Sequence, residues 1–249
     1  MLNAGVITSK ENQGAGSQNR PLLLDLYCGA GGASRGYQNA GFRVIGNDIK
    51  EQPHYIGDDF IMMDALQLMA RLLDGRSITG HGGQSYKLDD FRIIAASPPC
   101  QAYSRATAWR GSREDHPDLI DPTREALLAV GIPYIIENVQ EARELLRRPL
   151  MLCGTHFGLP IRRHRYFEVP LLGLVLTPTC QHRDTDYAHD HGGKQTEAQY
   201  RDAMGCTWMT VHEAREAIPP AYTEWLGRRI LAASCQDKEV SDGHHKRNE

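Results

Sequence analysis

A cysteine behind two prolines, a glutamate followed by asparagine, and two arginines one residue apart are the side chains here best suited to making and breaking bonds. Cys100 stands in Ser97-Pro98-Pro99-Cys100-Gln101-Ala102-Tyr103-Ser104. A structural cysteine would sit inside an apolar run, and this one does not, so a nucleophilic role is favoured over packing. The two prolines stiffen the approach and hold the backbone extended. Glu137-Asn138-Val139 follows the apolar stretch Pro133 to Ile136. A carboxyl beside an apolar strand end is held above its ordinary pKa and can donate a proton, although the same residues read equally well as a cap for a helical segment from Glu141 to Leu146. Arg163 and Arg165 lie in Arg162-Arg163-His164-Arg165-Tyr166-Phe167 and alternate as on a strand, so both point to one face. As isolated charges they would be solvated surface.

A second set is suited to binding. Asp25-Leu26-Tyr27-Cys28-Gly29-Ala30-Gly31-Gly32 follows an apolar run, and Asn47-Asp48 ends the next one, about 20 residues later. A glycine-rich turn between strand and helix lets a cofactor approach the backbone, and an acid at the second strand's end suits a ribose diol. The lysine of a triphosphate-binding loop is missing, so an adenosine cofactor without a polyphosphate fits better. The plain alternative is that the glycines only make a tight turn.

These residues need a scaffold that brings them to one rim. Leu22 to Leu26, Phe42 to Gly46, Phe91 to Ala96 and Pro133 to Ile136 read as strands, alternating with helical patterns over Ala33 to Ala40, Ala65 to Leu73 and Thr123 to Val130. The alternation predicts an α/β, Rossmann-like fold: a mostly parallel sheet with helices on both faces, plus a small insertion. Residues 1–19 and 236–249 read as polar, flexible tails. Residues 20–169 form the expected core, and the Pro-, Gly- and His-rich stretch 170–204 forms the insertion. Helical spacing returns over 205–235, from Val211 to Ala217 and again through Tyr222, Trp225, Leu226 and Ile230.

The 249 residues hold 31 acidic and 28 basic side chains, 41% hydrophobic and 24% charged residues. That mix excludes collagen, coiled-coil and wholly disordered readings, and the charge of −3 excludes a uniformly basic nucleic-acid coat. No apolar run reaches the roughly 18 residues of a membrane span, and no signal-peptide core is visible, so no membrane partner and a cytoplasmic location are expected. The six cysteines are scattered singly and are expected to be reduced. Cys153 with His156 and Cys180 with His182 could together supply two cysteines and two histidines to zinc. Their spacing is irregular and C-x-H is no standard clamp, so no metal site is assigned.

Taken together, DLYCGAGG (25–32), ND (47–48), SPPCQAYS (97–104), ENV (137–139) and RRHRYF (162–167) resemble the C5-cytosine-specific DNA methyltransferases in identity, order and spacing. The resemblance spans residues 21–169, with a weaker echo over 205–231. It implies a methyltransferase of the restriction-modification or phage DNA-modification kind, in a bacterial or phage-infected cell. Methyl transfer would run from S-adenosyl-L-methionine to C5 of cytosine through a covalent bond between Cys100 and C6. Glu137 would hold the N3 and 4-amino edge and supply a proton, Arg165 would face O2, and Arg163 would face base or phosphate oxygens. For the cofactor, the resemblance implies Asp25, Tyr27, Cys28, Gly29, Ala30, Gly31 and Gly32 around the methionine part, Asp48 on the ribose, Ile49 beside it, Asp64 on the adenine edge, and Pro99. The partner would be DNA with its target base flipped, and the Arg-, Gly- and Ser-rich stretch 105–118 would act as a lid.

The chain departs from the pattern in three places. Ile161 replaces the glutamine expected two residues before Arg163, with Arg162 as the candidate substitute. No C-terminal Q-x-G-N-x-V motif is visible, and Ala217 to Tyr222 stand near its place. The target-recognition region is compressed into about 170–204, whereas specific DNA interfaces bury on the order of 1,000 Å² of protein. Recognition is then short and relaxed, or assisted by a partner subunit, or directed at a cytosine nucleotide or a single strand. A non-catalytic DNA-binding or regulatory module is the remaining alternative, with the intact Cys100, Glu137, Arg163 and Arg165 against it. Any DNA-facing charge must be a local patch, with Arg105, Arg110, Arg113, Arg162, Arg163 and Arg165 as candidates.

Overall fold

Leu22–Leu26 (β1) is apolar except for Asp25 because it lies in the middle of a sheet and is covered on both faces. Its parallel neighbours are Arg43–Asp48 (β2) and Phe91–Ala96 (β6), with Asp59–Met62 (β3) beyond β2 and Tyr134–Asn138 (β7) beyond β6. Ile78–Thr79 (β4) and Ser85–Tyr86 (β5) form a separate hairpin. His164–Glu168 (β10) runs antiparallel to both β7 and Leu150–Cys153 (β8), which gives the seven-stranded order β3-β2-β1-β6-β7-β10-β8. Ile161–Arg162 (β9) pairs with Tyr187–Ala188 (β11). The computed structural model describes residues 20–99, 118–183, 187–188 and 196–245.

Among the described residues the helices are Gly32–Ala40 (α1), Ala65–Leu73 (α2), Ile120–Val130 (α3), Glu197–Met204 (α4), Val211–Glu216 (α5) and Pro220–His245 (α6). Strand alternation divides the core in two. Leu24, Leu26, Ile45, Ile94 and Ile136 face α2 and α3, while Leu23, Val44, Ile93 and Ile135 face α1 and α6. The expected α/β sheet with helices on both faces is therefore present. Strand order turns back between β1 and β6, so a crevice opens beyond the carboxyl ends of the parallel strands, where such sheets bind ligands.

The helices meet at close range. A Cβ on Gly36 of α1 would overlap the Pro220 carbonyl oxygen and Thr223 Oγ1, and Thr223 Oγ1 donates to the Ala33 carbonyl at 2.9 Å. This brings the chain's C-terminal part against its first helix. Helix α6 also continues to His245, where the polar composition predicts a tail from residue 236. No proline interrupts residues 221–245, so nothing in the backbone forces an earlier stop. Among the described residues no helix is long and apolar enough to cross a membrane.

On β10, Glu168 is fully buried and fully paired. Arg124 donates to it from Nε and Nη2, Tyr134 from its hydroxyl at 2.8 Å, and the Arg147 backbone N–H at 2.8 Å. The ion pair ties α3 to the antiparallel strand from below the rim. Removing one partner strands a buried charge, so Glu168→Ala is expected to lower unfolding free energy by about 3–5 kcal/mol, measured by urea denaturation. A change under about 1 kcal/mol would show that the pair does not hold α3 in place.

Candidate active site

The glycine turn begins with a backbone that few residues tolerate. Tyr27 has φ 59°, Gly29 φ 49° and Gly31 φ 85°. Tyr27 is held in this conformation partly by its hydroxyl, 2.9 Å from Thr123 Oγ1. The glycines do different work. A Cβ on Gly31 would press on the Tyr55 ring at 3.1 Å and one on Gly32 would reach the Ile218 carbonyl at 2.5 Å, whereas one on Gly29 would meet nothing within 4 Å. Gly31 and Gly32 are therefore required by packing, and Gly29 alone opens onto free space.

At the end of β2, Asp48 accepts from the Gly29 N–H at 3.0 Å and from the Lys50 N–H at 3.1 Å, so the acid and the turn are one unit. Ile49 beside it is 64% exposed, an apolar face next to a carboxylate. Asp64 caps α2 by accepting from the Gln67 N–H at 2.9 Å. The Cys28 thiol is pushed up by burial, so its contribution to the rim is its backbone, which bonds the Asn47 carbonyl at 3.0 Å. Ala30 is covered from the C-terminal side, its carbonyl accepting from Trp208 Nε1 at 3.1 Å.

Across the crevice, the Ser97 N–H bonds the Leu26 carbonyl at 3.2 Å and Asn138 Nδ2 donates to the Pro98 carbonyl at 3.0 Å. These bonds fix the direction in which the chain leaves β6, and Pro99 is exposed at the rim. Cys100 lies outside the described residues, as do Arg105, Arg110, Arg113 and the expected lid through residue 117. Glu137 and Asn138 are the last two residues of β7 and not a helix cap. Asn138 instead serves the Pro98 loop, a role without a signal in the sequence. Ser97, Thr123 and Trp208 likewise carry no signal in the sequence, because each acts on a residue far away along the chain.

Glu137 is 7% exposed, and its Oε1 lies 3.1 Å from Arg165 Nε without the alignment of a hydrogen bond. That oxygen makes no hydrogen bond to any described residue. Burial pushes the Glu137 carboxyl up, and Arg165, Arg163 and a Ser97 hydrogen bond oppose this only in part. Residues 161, 163, 165 and 167 are all buried, as alternation on a strand requires. Arg163, however, is 1% exposed and donates through Nη2 to the carbonyls of Arg215 at 2.7 Å and Ala217 at 2.6 Å. Burial lowers its pKa to about 10, so it stays charged at neutral pH, close to Glu137. Arg163 is therefore a buried clamp on the C-terminal segment, and not the solvated surface charge that an isolated arginine would be. Arg162 donates to the Arg183 carbonyl and holds the coil before β11.

Behind the turn, Asp25 is 1% exposed and accepts from Ser34 Oγ at 2.5 Å. Burial, aided by Glu137 and Asp48, pushes its carboxyl from 3.8 up to about 7. The folded chain therefore holds a proton between pH 3.8 and about 7 that the unfolded chain has lost. Stability falls as pH rises through that window, with the full cost present above it. Asp25→Asn is expected to raise the melting temperature relative to wild type more at pH 8 than at pH 5. An equal effect at both pH values would place the Asp25 pKa near its ordinary value.

Residues 22–144 match the family model of the C-5 cytosine-specific DNA methylases, a span that holds the glycine turn, Asp48, the Pro98-Pro99 loop and Glu137. Type II methyltransferase M.AplI of Arthrospira platensis is 22% identical over 245 residues, covering 88% of this chain and 62% of the relative. Type II methyltransferase M.XorII of Xanthomonas oryzae pv. oryzae is 23% identical, covering 88% of this chain and 46% of the relative. The chain thus spans between about half and three fifths of the length of these curated relatives. Among solved structures, the methyltransferase EhMeth of Entamoeba histolytica superimposes with a TM-score of 0.53 at 12% identity, over 86% of this chain and 99% of that one, a likeness of fold. With the family match running through the glycine turn and the carboxylate at the end of β7, the chain belongs to the C-5 cytosine-specific DNA methylase family.

Proposed function

We propose that the chain transfers the methyl group of S-adenosyl-L-methionine to C5 of cytosine in DNA, in the cytoplasm, through a covalent bond between Cys100 and C6 of the base. One observation carries the reading: a buried carboxyl, Glu137, raised in pKa by burial and with an Oε1 that makes no hydrogen bond to any described residue, lies 3.1 Å from Arg165 Nε at the rim from which the chain runs on to Cys100. A protonated carboxyl and a fixed guanidinium suit the polar edge of a pyrimidine, with one donating to N3 and the other facing O2.

The residues across the crevice fit the cofactor. Open space over Gly29, a carboxylate locked to the turn and an exposed isoleucine beside it suit a methionine chain, a ribose and an adenine in turn. Tyr27 and the Cys28–Gly32 backbone would line the methionine part, and Asp64 would reach the adenine edge from the head of α2. Bound there, S-adenosylmethionine supplies an electrophilic methyl group.

The chain's own residues do the rest. The Cys100 thiolate forms a bond to C6, and the electron pair displaced from the ring makes C5 nucleophilic. Glu137 gives its proton toward N3 and offsets the charge that builds there. Arg165 fixes O2, and Arg163 acts as a positioning residue that holds Arg215 to Ala217 against the site. Once the methyl group is on C5, loss of the C5 proton returns electrons to the ring and expels the Cys100 sulfur. A base in a duplex must first leave the stack, at a cost of a few kcal/mol.

The end of α4 packs with Cys206, Met209 and Ala214 against Ala30 and Ile161, which supports a recognition region no larger than residues 170–204. We therefore infer that the target site is short, or that a partner subunit extends the reading surface.

Cys100→Ser is expected to abolish transfer of tritiated methyl groups to duplex DNA while cofactor binding, measured calorimetrically, survives. Ordinary turnover in that variant would refute the mechanism. Glu137→Gln is expected to lower kcat about 100-fold or more. Offering duplex DNA, single-stranded DNA and dCMP in parallel separates the substrates. Labelling of dCMP alone would overturn the DNA assignment.

A further inference from the structure

Four metal-ligating side chains converge on the far side of β10 from the two arginines. Cys153 ends β8 and His164 begins β10, and the two are direct cross-strand partners in the antiparallel register. Cys180 and His182 arrive from the irregular coil after β10. Their ligand atoms all lie within 4.8 Å of one another. The closest approaches are Cys153 Sγ to His182 Nε2 at 3.3 Å, His164 Nε2 to His182 Nε2 at 3.2 Å, and Cys180 Sγ to His164 Nε2 at 3.4 Å.

Hydrogen bonding alone does not account for this arrangement. Each of the two Nε2 atoms has two close partners, but a ring nitrogen offers either one N–H or one lone pair in its plane. A cation at the centre removes the conflict by accepting one lone pair from each ligand. In a tetrahedron with bonds of about 2.0–2.1 Å to nitrogen and about 2.3 Å to sulfur, ligand atoms stand about 3.3–3.8 Å apart, close to the spacing seen. Two thiolates with two imidazoles select zinc over harder cations.

We propose that Cys153, His164, Cys180 and His182 form a structural zinc site. Along the sequence His156, three residues after Cys153, is the nearer candidate, but the converging set holds His164 in its place. His156 instead contacts Cys180 Sγ at 3.5 Å from outside the converging set. Thr155 Oγ1 donates to Cys153 Sγ at 3.4 Å and accepts from the Gln181 N–H at 3.3 Å, an outer bond of the kind that steadies a metal thiolate. Earlier in the same coil Leu174 is 91% and Leu176 85% exposed, so apolar burial does not fix that stretch. Zinc would staple this recognition coil to the strand whose other face presents Arg163 and Arg165, independently of the methyl-transfer chemistry.

The test is metal content and spectroscopy on the full chain, with Cys180→Ser/His182→Ala as the informative variant because both residues lie on the coil and not in the core. Mass spectrometry of protein reconstituted with zinc and passed through gel filtration is expected to find one equivalent per chain in wild type and in His156→Ala, and none in the double variant. Cobalt substitution is expected to give the visible bands of a tetrahedral site with thiolate charge transfer, again lost in the double variant. Chelation is expected to expose the coil to limited proteolysis while the core stays folded by circular dichroism. Wild type that retains no metal, or a double variant that retains the same equivalent, would overturn the proposal.

Discussion

A buried carboxyl beside a buried guanidinium is the arrangement on which the rest of this molecule depends. Both charges lose most of their hydration, so they persist only if the surrounding structure holds them close and satisfies most of their remaining polar atoms. The register of β10 on β7 does this. Phe167 is opposite Glu137, so Arg165, two residues earlier, emerges on the same face just past the end of β7. A slip of one residue would turn both arginines away from Glu137 and bring His164 and Tyr166 to that face.

The same strand does a second job through the same alternation. Its register on β8 sets His164 opposite Cys153, on the face away from the arginines. One five-residue strand thus carries a charge for the site on one side and a proposed metal ligand on the other. Glu168 at its far end is bound by Arg124, Tyr134 and the Arg147 N–H, which keeps the strand from sliding.

The binding half of the crevice is closed by chain from far away in sequence. Trp208 bonds the Ala30 carbonyl, Ile218 lies against Gly32, and Arg163 grips the carbonyls of Arg215 and Ala217. The stretch near Ala217 thus lies where a C-terminal cofactor motif was expected, although its residues differ from that motif. The charge of −3 leaves little positive surface to spare. With Arg163 buried and Arg162 engaged by the coil, less of the arginine-rich segment faces outward than its composition suggests.

The sequence by itself determined the α/β class, most of the parallel strands, the glycine turn with its acid, and the pairing of the two arginines on one face. These follow from period-2 and helical patterning and from local backbone chemistry, which neighbouring residues are enough to express. Residues from 236 read as a tail, and α6 runs through them to His245, because composition reports solvation and not whether a helix has reason to stop. Only the tertiary structure decided that Arg163 is a clamp, that Asn138 anchors the Pro98 loop, that burial pushes the Asp25 carboxyl up to about 7, and that His164 joins Cys153, Cys180 and His182. Each of these depends on residues separated by long stretches of chain and brought together by sheet register and helix packing, and spacing along the sequence carries no record of that distance.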